Sequence, residues 1–157
     1  MNKKIIERLE KEGKIRKQKA GFIQIEALLI QAIGDLKEAK KISNIAERAT
    51  FLMAYMAMLK AGRALLLFNG YVPDDGAQHR TVIEMTSVFL GNNYSQLTYR
   101  FEIMRRKRND LTYEAGIPLS ISESQKSFMD SISLVKEILE KVRSQNPQMT
   151  IKFDLGS

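Results

Sequence analysis

The densest run of groups able to do chemistry in this sequence is Arg105-Arg106-Lys107-Arg108-Asn109-Asp110, with Tyr113 and Glu114 shortly after it. Ahead of it, Tyr94, Leu97, Phe101 and Met104 recur every three or four positions, and Leu111 resumes the series. The same spacing lands on Arg108, which places its guanidinium on the apolar seam of a helix while Arg105, Arg106 and Lys107 point elsewhere. An arginine is rarely buried without a partner, so one on a seam meets a carboxylate, an anion or a groove. Two readings are open. Arg108 closes the end of a helical bundle on an internal acid, with Asp110 and Glu114 as the local candidates, or its planar fork of donors holds a phosphate. Tyr94, Tyr99, Phe101 and Tyr113 interleave with the basic run as stacking candidates for bases, and of these Phe101 reads as core and Tyr99 as free.

The elements that must position these groups are helices. Residues 2–12 read as a short charged helix with Ile5, Ile6 and Leu9 on one side, and Gly13 with the basic stretch to Gly21 loosens it from the next helix. Phe22, Ile25, Leu29, Ala32, Leu36 and Ala39 mark that second helix, with one buried stripe. Asn44 with Glu47 resembles a capping box, which opens a central helix over 44–68. From position 49 onward that helix is apolar or small nearly all round, as expected in the middle of a bundle. Its methionines, Met53, Met56 and Met58, read as core filler. Asn69-Gly70 stops it, Pro73-Asp74-Asp75-Gly76 is a turn cluster, and 78–90 is the next helix, stopped by Gly91-Asn92-Asn93. The helix carrying Arg108 ends before Gly116 and Pro118. Ser122 with Gln125 signals the start of a last helix, which Pro147 terminates.

The fold class is therefore all-α, a compact bundle of four to six helices. It divides into a basic N-terminal helix and linker (1–20), a helical bundle domain (21–144) and a C-terminal tail (145–157). In the tail, Met149, Ile151, Phe153 and Leu155 alternate with polar residues as a strand would. It is either frayed or a segment that adds a strand to another chain.

The totals narrow the chemistry. The 157 residues include no cysteine and one histidine, His79, which leaves no thiol nucleophile, no cysteine-bearing zinc site and no histidine cluster for a metal. No cofactor is called for. The N-terminus lacks an apolar stretch of signal-peptide length, and the longest apolar run, 51–59, is far short of the about 20 residues of a membrane span. A cytoplasmic protein with no membrane partner is the expectation. Of the net charge of +7, residues 1–20 contribute +5 and residues 100–108 contribute +4, so the remainder is slightly acidic. Two such patches suit polyphosphate or an acidic partner, or are simply solvated helix faces.

The segment Lys60-Ala61-Gly62-Arg63-Ala64-Leu65-Leu66-Leu67-Phe68-Asn69-Gly70-Tyr71, the later His79, and Arg108-Asn109 with Tyr113-Glu114-Ala115-Gly116 resemble the HEPN family over roughly residues 22–144. The resemblance implies a small helical bundle, usually a homodimer, of prokaryotic toxin–antitoxin systems. Many members are metal-independent ribonucleases, and many are encoded beside a minimal nucleotidyltransferase, here the candidate antitoxin partner. The family's signature is an arginine, commonly followed by a polar residue such as asparagine, then a histidine four to six positions on. Arg108 and Asn109 match its start, and Tyr113 stands at the histidine position. By the resemblance, Arg108 would stabilise a scissile phosphate and the residue at 113 would assist attack by the RNA 2′-hydroxyl. A tyrosine titrates near 10, which makes it a poor general base at neutral pH. In an unbroken helix five residues also turn about 140°. Arg108 and Tyr113 therefore converge only if the last turn unwinds or two chains meet. Symmetric pairing of two Arg108 seams would build one shared basic cleft.

His79 has two readings: a substitute base brought near Arg108 by the fold, or a polar residue in the first turn of its helix. The second is favoured. The leading expectation is a HEPN-like homodimer that binds RNA or a nucleotide phosphate through Arg105, Arg106, Arg108 and Asn109. Catalysis, if any, is that of a metal-independent endoribonuclease using Arg108, Tyr113 or His79. The alternatives are a protein–protein interaction module with no nucleic-acid role and an active ribonuclease toxin.

Overall fold

A computed structural model describes residues 3–74 and 78–156. In chain order the elements are α1 (Lys3–Lys11), β1 (Ile15–Lys17), α2 (Phe22–Ile42), α3 (Glu47–Phe68), β2 (Tyr71–Pro73), α4 (Gln78–Leu90), a single 3₁₀ turn (Asn92–Tyr94), α5 (Ser95–Tyr113) and α6 (Ile121–Ser144). The protein is an all-α bundle with one two-stranded ribbon. Asn2, Asp75 and Gly76, which the sequence places in the first helix and in the turn before α4, lie outside the described residues.

α3 is the axle. Thirteen of its residues are buried, on every side of the helix, and α2, α4, α5 and α6 all pack against it. This is what an all-round apolar helix requires. By length and composition α3 is also apolar enough to cross a membrane, and 67% of that apolar window is buried inside the fold. Gly62 sets how close α4 can come: a Cβ at this position would meet Thr86 Oγ1 and Val82 Cγ1, both at 2.8 Å. Glycine is needed here for close packing, inside a helix where it is otherwise a poor choice.

Two helix starts differ from the sequence expectation. α3 begins at Glu47 behind Ala46, with no side-chain cap, and Asn44 lies in the preceding turn. α6 is capped by Ser120, not Ser122: the amide of Glu123 donates to Ser120 Oγ at 3.0 Å. Ser122 is one full residue inside the helix, where its hydroxyl has no orphan amide to accept from.

The described N-terminal residues, 3–20, pack on the bundle. Ile6, Leu9 and Ile15 join the same core as the bundle. β1 pairs antiparallel with β2, with Arg16 opposite Val72. Arg8 bonds Glu84 at 2.7 Å and Arg16 bonds Asp74 at 3.3 Å, so the first basic patch is partly neutralised along the ribbon and α4.

The tail is neither frayed nor a strand. Residues 150–156 carry no ladder, and the alternation has a different cause. Met149 is buried, and Ile151, Phe153 and Leu155 pack on the core, while Thr150, Lys152 and Asp154 face outward. Arg143 donates to the carbonyl of Ile151, Lys40 to that of Gly156, and Lys136 lies over the Phe153 ring. An extended chain lying on an apolar surface has the same period of two as a strand in a sheet.

Candidate functional site

α3 interrupts its apolar surface with few polar groups. Tyr55 and Arg63 are two of them, and they converge with residues from α4 and α5. The Tyr55 side chain is fully buried, and its hydroxyl shares a hydrogen bond of 3.0 Å with His79 Nδ1 at the start of α4. The two rings are tilted against each other, and Phe101 of α5 packs edge-on against Tyr55. Arg105 and Arg108 of α5 and Arg63 of α3 all lie within electrostatic reach of both Tyr55 and His79.

The electrostatics follow from this crowding. Burial, then the positive charges of Arg108, Arg63 and Arg105, hold the His79 ring below its ordinary titration range. The imidazole is therefore neutral at pH 7. Burial raises the Tyr55 hydroxyl far above its ordinary value despite those arginines, so it remains a neutral hydrogen-bonding group. Either Tyr55 donates to the ring, or His79 Nδ1–H donates to the hydroxyl. Only the second arrangement leaves Nε2 with a lone pair.

The arginines are not equivalent. Arg105 makes a two-point bond to Glu102, at 2.6 and 2.9 Å, and Arg106 reaches the same carboxylate at 3.2 Å. These bonds, Arg105 first, hold the Glu102 carboxyl below its usual range. Lys107 is taken by Glu123 at 3.4 Å and by the carbonyl of Pro118. Arg108 forms no ion pair among the described residues; its side-chain contact is a 3.3 Å bond to Asn109 Oδ1. Asp110 and Glu114, its candidate internal acids, do not bond it. Among the described residues Arg63 also pairs with no carboxylate. Its Nε is buried with no hydrogen-bond partner, and Nη2 reaches Gln78 Oε1 at a long 3.4 Å. A buried guanidinium N–H left unmatched is costly, and a bound anion is one way to satisfy it.

Of the residues singled out in the sequence, Arg105, Arg108, Asn109 and His79 are gathered at one place. Arg106 is on the rim and largely exposed. Tyr113 is not gathered. It is the last residue of an α5 that runs unbroken through it, 78% exposed and about 140° around the helix from Arg108. The last turn does not unwind: Arg48 donates to the carbonyl of Leu111 at 2.9 Å and Thr112 back to that of Arg108 at 2.8 Å, so its carbonyls are held. Within one chain the Arg108–Tyr113 pair cannot act on a common atom. The favoured reading of His79 as a mere first-turn polar residue also understates its place among the arginines. Tyr55, Arg63 and Glu102 are not found by motif reasoning. A hydroxyl and a guanidinium within the apolar stretch of α3 after Thr50 are the signal the sequence offers for the first two.

No protein-family model and no curated protein matches this sequence.

Proposed function

We propose that the protein is a HEPN-like RNA- or nucleotide-phosphate-binding protein of a toxin–antitoxin or nucleotidyltransferase-partner setting. Its anion site is the cluster of Arg63, Arg105, Arg108 and Asn109 around His79. One observation carries this reading: among the described residues no carboxylate pairs with Arg63 or Arg108, although Arg105, Arg106 and Lys107 are all matched. Surplus guanidinium next to a neutral imidazole is an arrangement suited to a phosphodiester, which offers acceptor oxygens to both.

The test is salt-dependent binding of a short single-stranded RNA, read by fluorescence anisotropy. Each phosphate neutralised by a cation contributes about 0.7 to the slope of log K against log salt for single strands. Arg108→Ala is expected to flatten the slope by about that amount and to weaken binding about 10- to 100-fold, as loss of a charge-assisted hydrogen bond does. Binding indifferent to both salt and the substitution refutes the proposal.

A second reading, a metal-independent endoribonuclease, gains from the position of His79. With Nδ1–H donated to Tyr55, Nε2 takes the 2′-hydroxyl proton, the 2′-oxygen attacks phosphorus, and the bond to the 5′-oxygen breaks, that oxygen leaving as a 5′-hydroxyl with a proton from water. A 2′,3′-cyclic phosphate results, with Arg108 countering charge on the phosphoryl oxygens. In an RNA cleavage assay, His79→Ala abolishes the activity and Tyr113→Phe leaves it intact; the reverse pattern refutes His79 as the base. The reading as a strand-adding interaction module loses its main support, since the tail already lies on its own bundle.

A further inference from the structure

Beside the arginine cluster, a groove of about 420 Å³ runs between α1, α4 and α5. Its lining is of mixed character. Ile83 and Val88 are apolar, Tyr99 lies along it with 65% of its surface exposed, and Arg80, Glu84 and Glu102 line it as well. The volume is that of an ordinary small-ligand site. The groove adjoins the anion site at two points: Glu102 belongs to both, and Arg80 follows His79 directly in α4. Tyr99 and Arg105 are six residues apart on α5, about 9 Å along the axis and about 120° around it, and Glu102 between them joins the groove to the arginine.

We infer that this groove is a nucleobase subsite of the proposed phosphate site, on which it rests, and that it prefers guanine. Both lining carboxylates are already ion-paired, Glu84 with Arg8 and Glu102 with Arg105 and Arg106, so recognition here falls to shape and hydrogen bonding. An exposed aromatic side chain beside the apolar Ile83 and Val88 suits a flat ring, since every base has a π-face to stack. Carboxylates accept hydrogen bonds and donate none, which favours a base whose edge presents N–H groups. Guanine's N1–H and N2–H₂ lie side by side and match the two oxygens of one carboxylate. Arg8 engages only Oε2 of Glu84, at 2.7 Å. Uracil has a single N–H flanked by two carbonyls that a carboxylate repels.

Three RNA pentamers separate base from backbone: UUUUU, UUGUU, and a fully abasic pentamer, since any remaining uracil could also stack on Tyr99. By anisotropy at fixed salt, the guanine pentamer binds tightest. Tyr99→Ala weakens it about 5- to 150-fold, the range spanned by loss of one base–aromatic stack, and leaves the abasic pentamer unchanged. Tyr99→Phe retains the guanine preference, which rules out a general loss of fold. Equal binding of the three pentamers by wild type, or an equal loss for the abasic pentamer in Tyr99→Ala, overturns the base site. Failure of the phosphate reading shows separately, as abasic binding indifferent to Arg108→Ala.

Discussion

Replacing Gly62 by alanine tests the scaffold of the site without touching any of its functional groups. Two effects oppose each other. Alanine is about 1 kcal/mol better than glycine inside a helix. Against that, the new methyl would sit 2.8 Å from both Thr86 Oγ1 and Val82 Cγ1, where carbon contacts normally lie at about 3.5–4.0 Å. Both neighbours are β-branched, so neither can rotate away cheaply. Overpacking of this kind costs about 1–3 kcal/mol, which leaves a net destabilisation of up to about 2 kcal/mol. For a chain of this size that lowers Tm by up to about 8 °C. Gly34 in α2 is the internal control, because a Cβ there meets nothing within 4 Å. Gly34→Ala should therefore raise Tm by about 2–4 °C, from helix propensity alone. The assay is thermal unfolding by circular dichroism, paired with RNA binding. Moving α4 off α3 also displaces His79 from Tyr55, so Gly62→Ala should weaken binding more than its Tm suggests. If it raises Tm as much as Gly34→Ala does, the close approach of α3 and α4 is not limited by this glycine, and the reasoning fails.

His79 supplies a pH test with one resonance to follow. Its folded titration lies below the ordinary range, so between that lowered value and about 6.5 the unfolded chain binds more protons than the folded one. Stability contributed by the neutral ring is complete above about pH 6.5 and declines as pH falls through that window. An NMR titration should show the midpoint below 6.5, and Arg108→Ala should move it upward; a midpoint that ignores the substitution would separate the two residues. Ser120→Ala should cost about 1 kcal/mol by removing the α6 cap, while Ser122→Ala should cost nearly nothing in the same chemical denaturation experiment. Met149→Ala should cost about 2 kcal/mol or more if the tail lies on the core as described, and nothing measurable if it is frayed.

Much of the bundle is legible in the sequence because buried stripes at spacings of three and four leave little choice. Phe22 to Ala39 and Tyr94 to Leu111 mark α2 and α5 in this way. Capping is less legible: Ser120 and Ser122 both precede a polar residue three positions on, and only the backbone decides which hydroxyl meets a free amide. β1 and β2 escape notice for another reason. Three-residue strands are too short to show alternation, and their pairing joins segments far apart in the chain, Ile15 with Pro73. In the tail, alternation correctly identifies an extended chain with one buried side, but period alone does not say whether that side rests on a sheet, another chain or its own bundle. At the site, Arg108 on the apolar seam can be read locally because it breaks a periodic pattern. Its neighbours cannot, since Tyr55, Arg63 and His79 reach it from two other helices.

The β1–β2 ribbon has a consequence for the order in which the molecule comes apart. It is short and closes a long loop of chain, so its contacts are entropically expensive to form for the few hydrogen bonds they make. Its hydrogen bonds, with α1 behind them, form a unit that can open while α2–α6 stay folded. Ile5 of α1 lines the groove beside Tyr99, so that unit is also one wall of the groove. Opening the N-terminal arm would widen the groove without melting the bundle. Amide exchange should then be faster at Arg16 and Lys17 than in the middle of α3, and ligands that fill the groove should slow it there first.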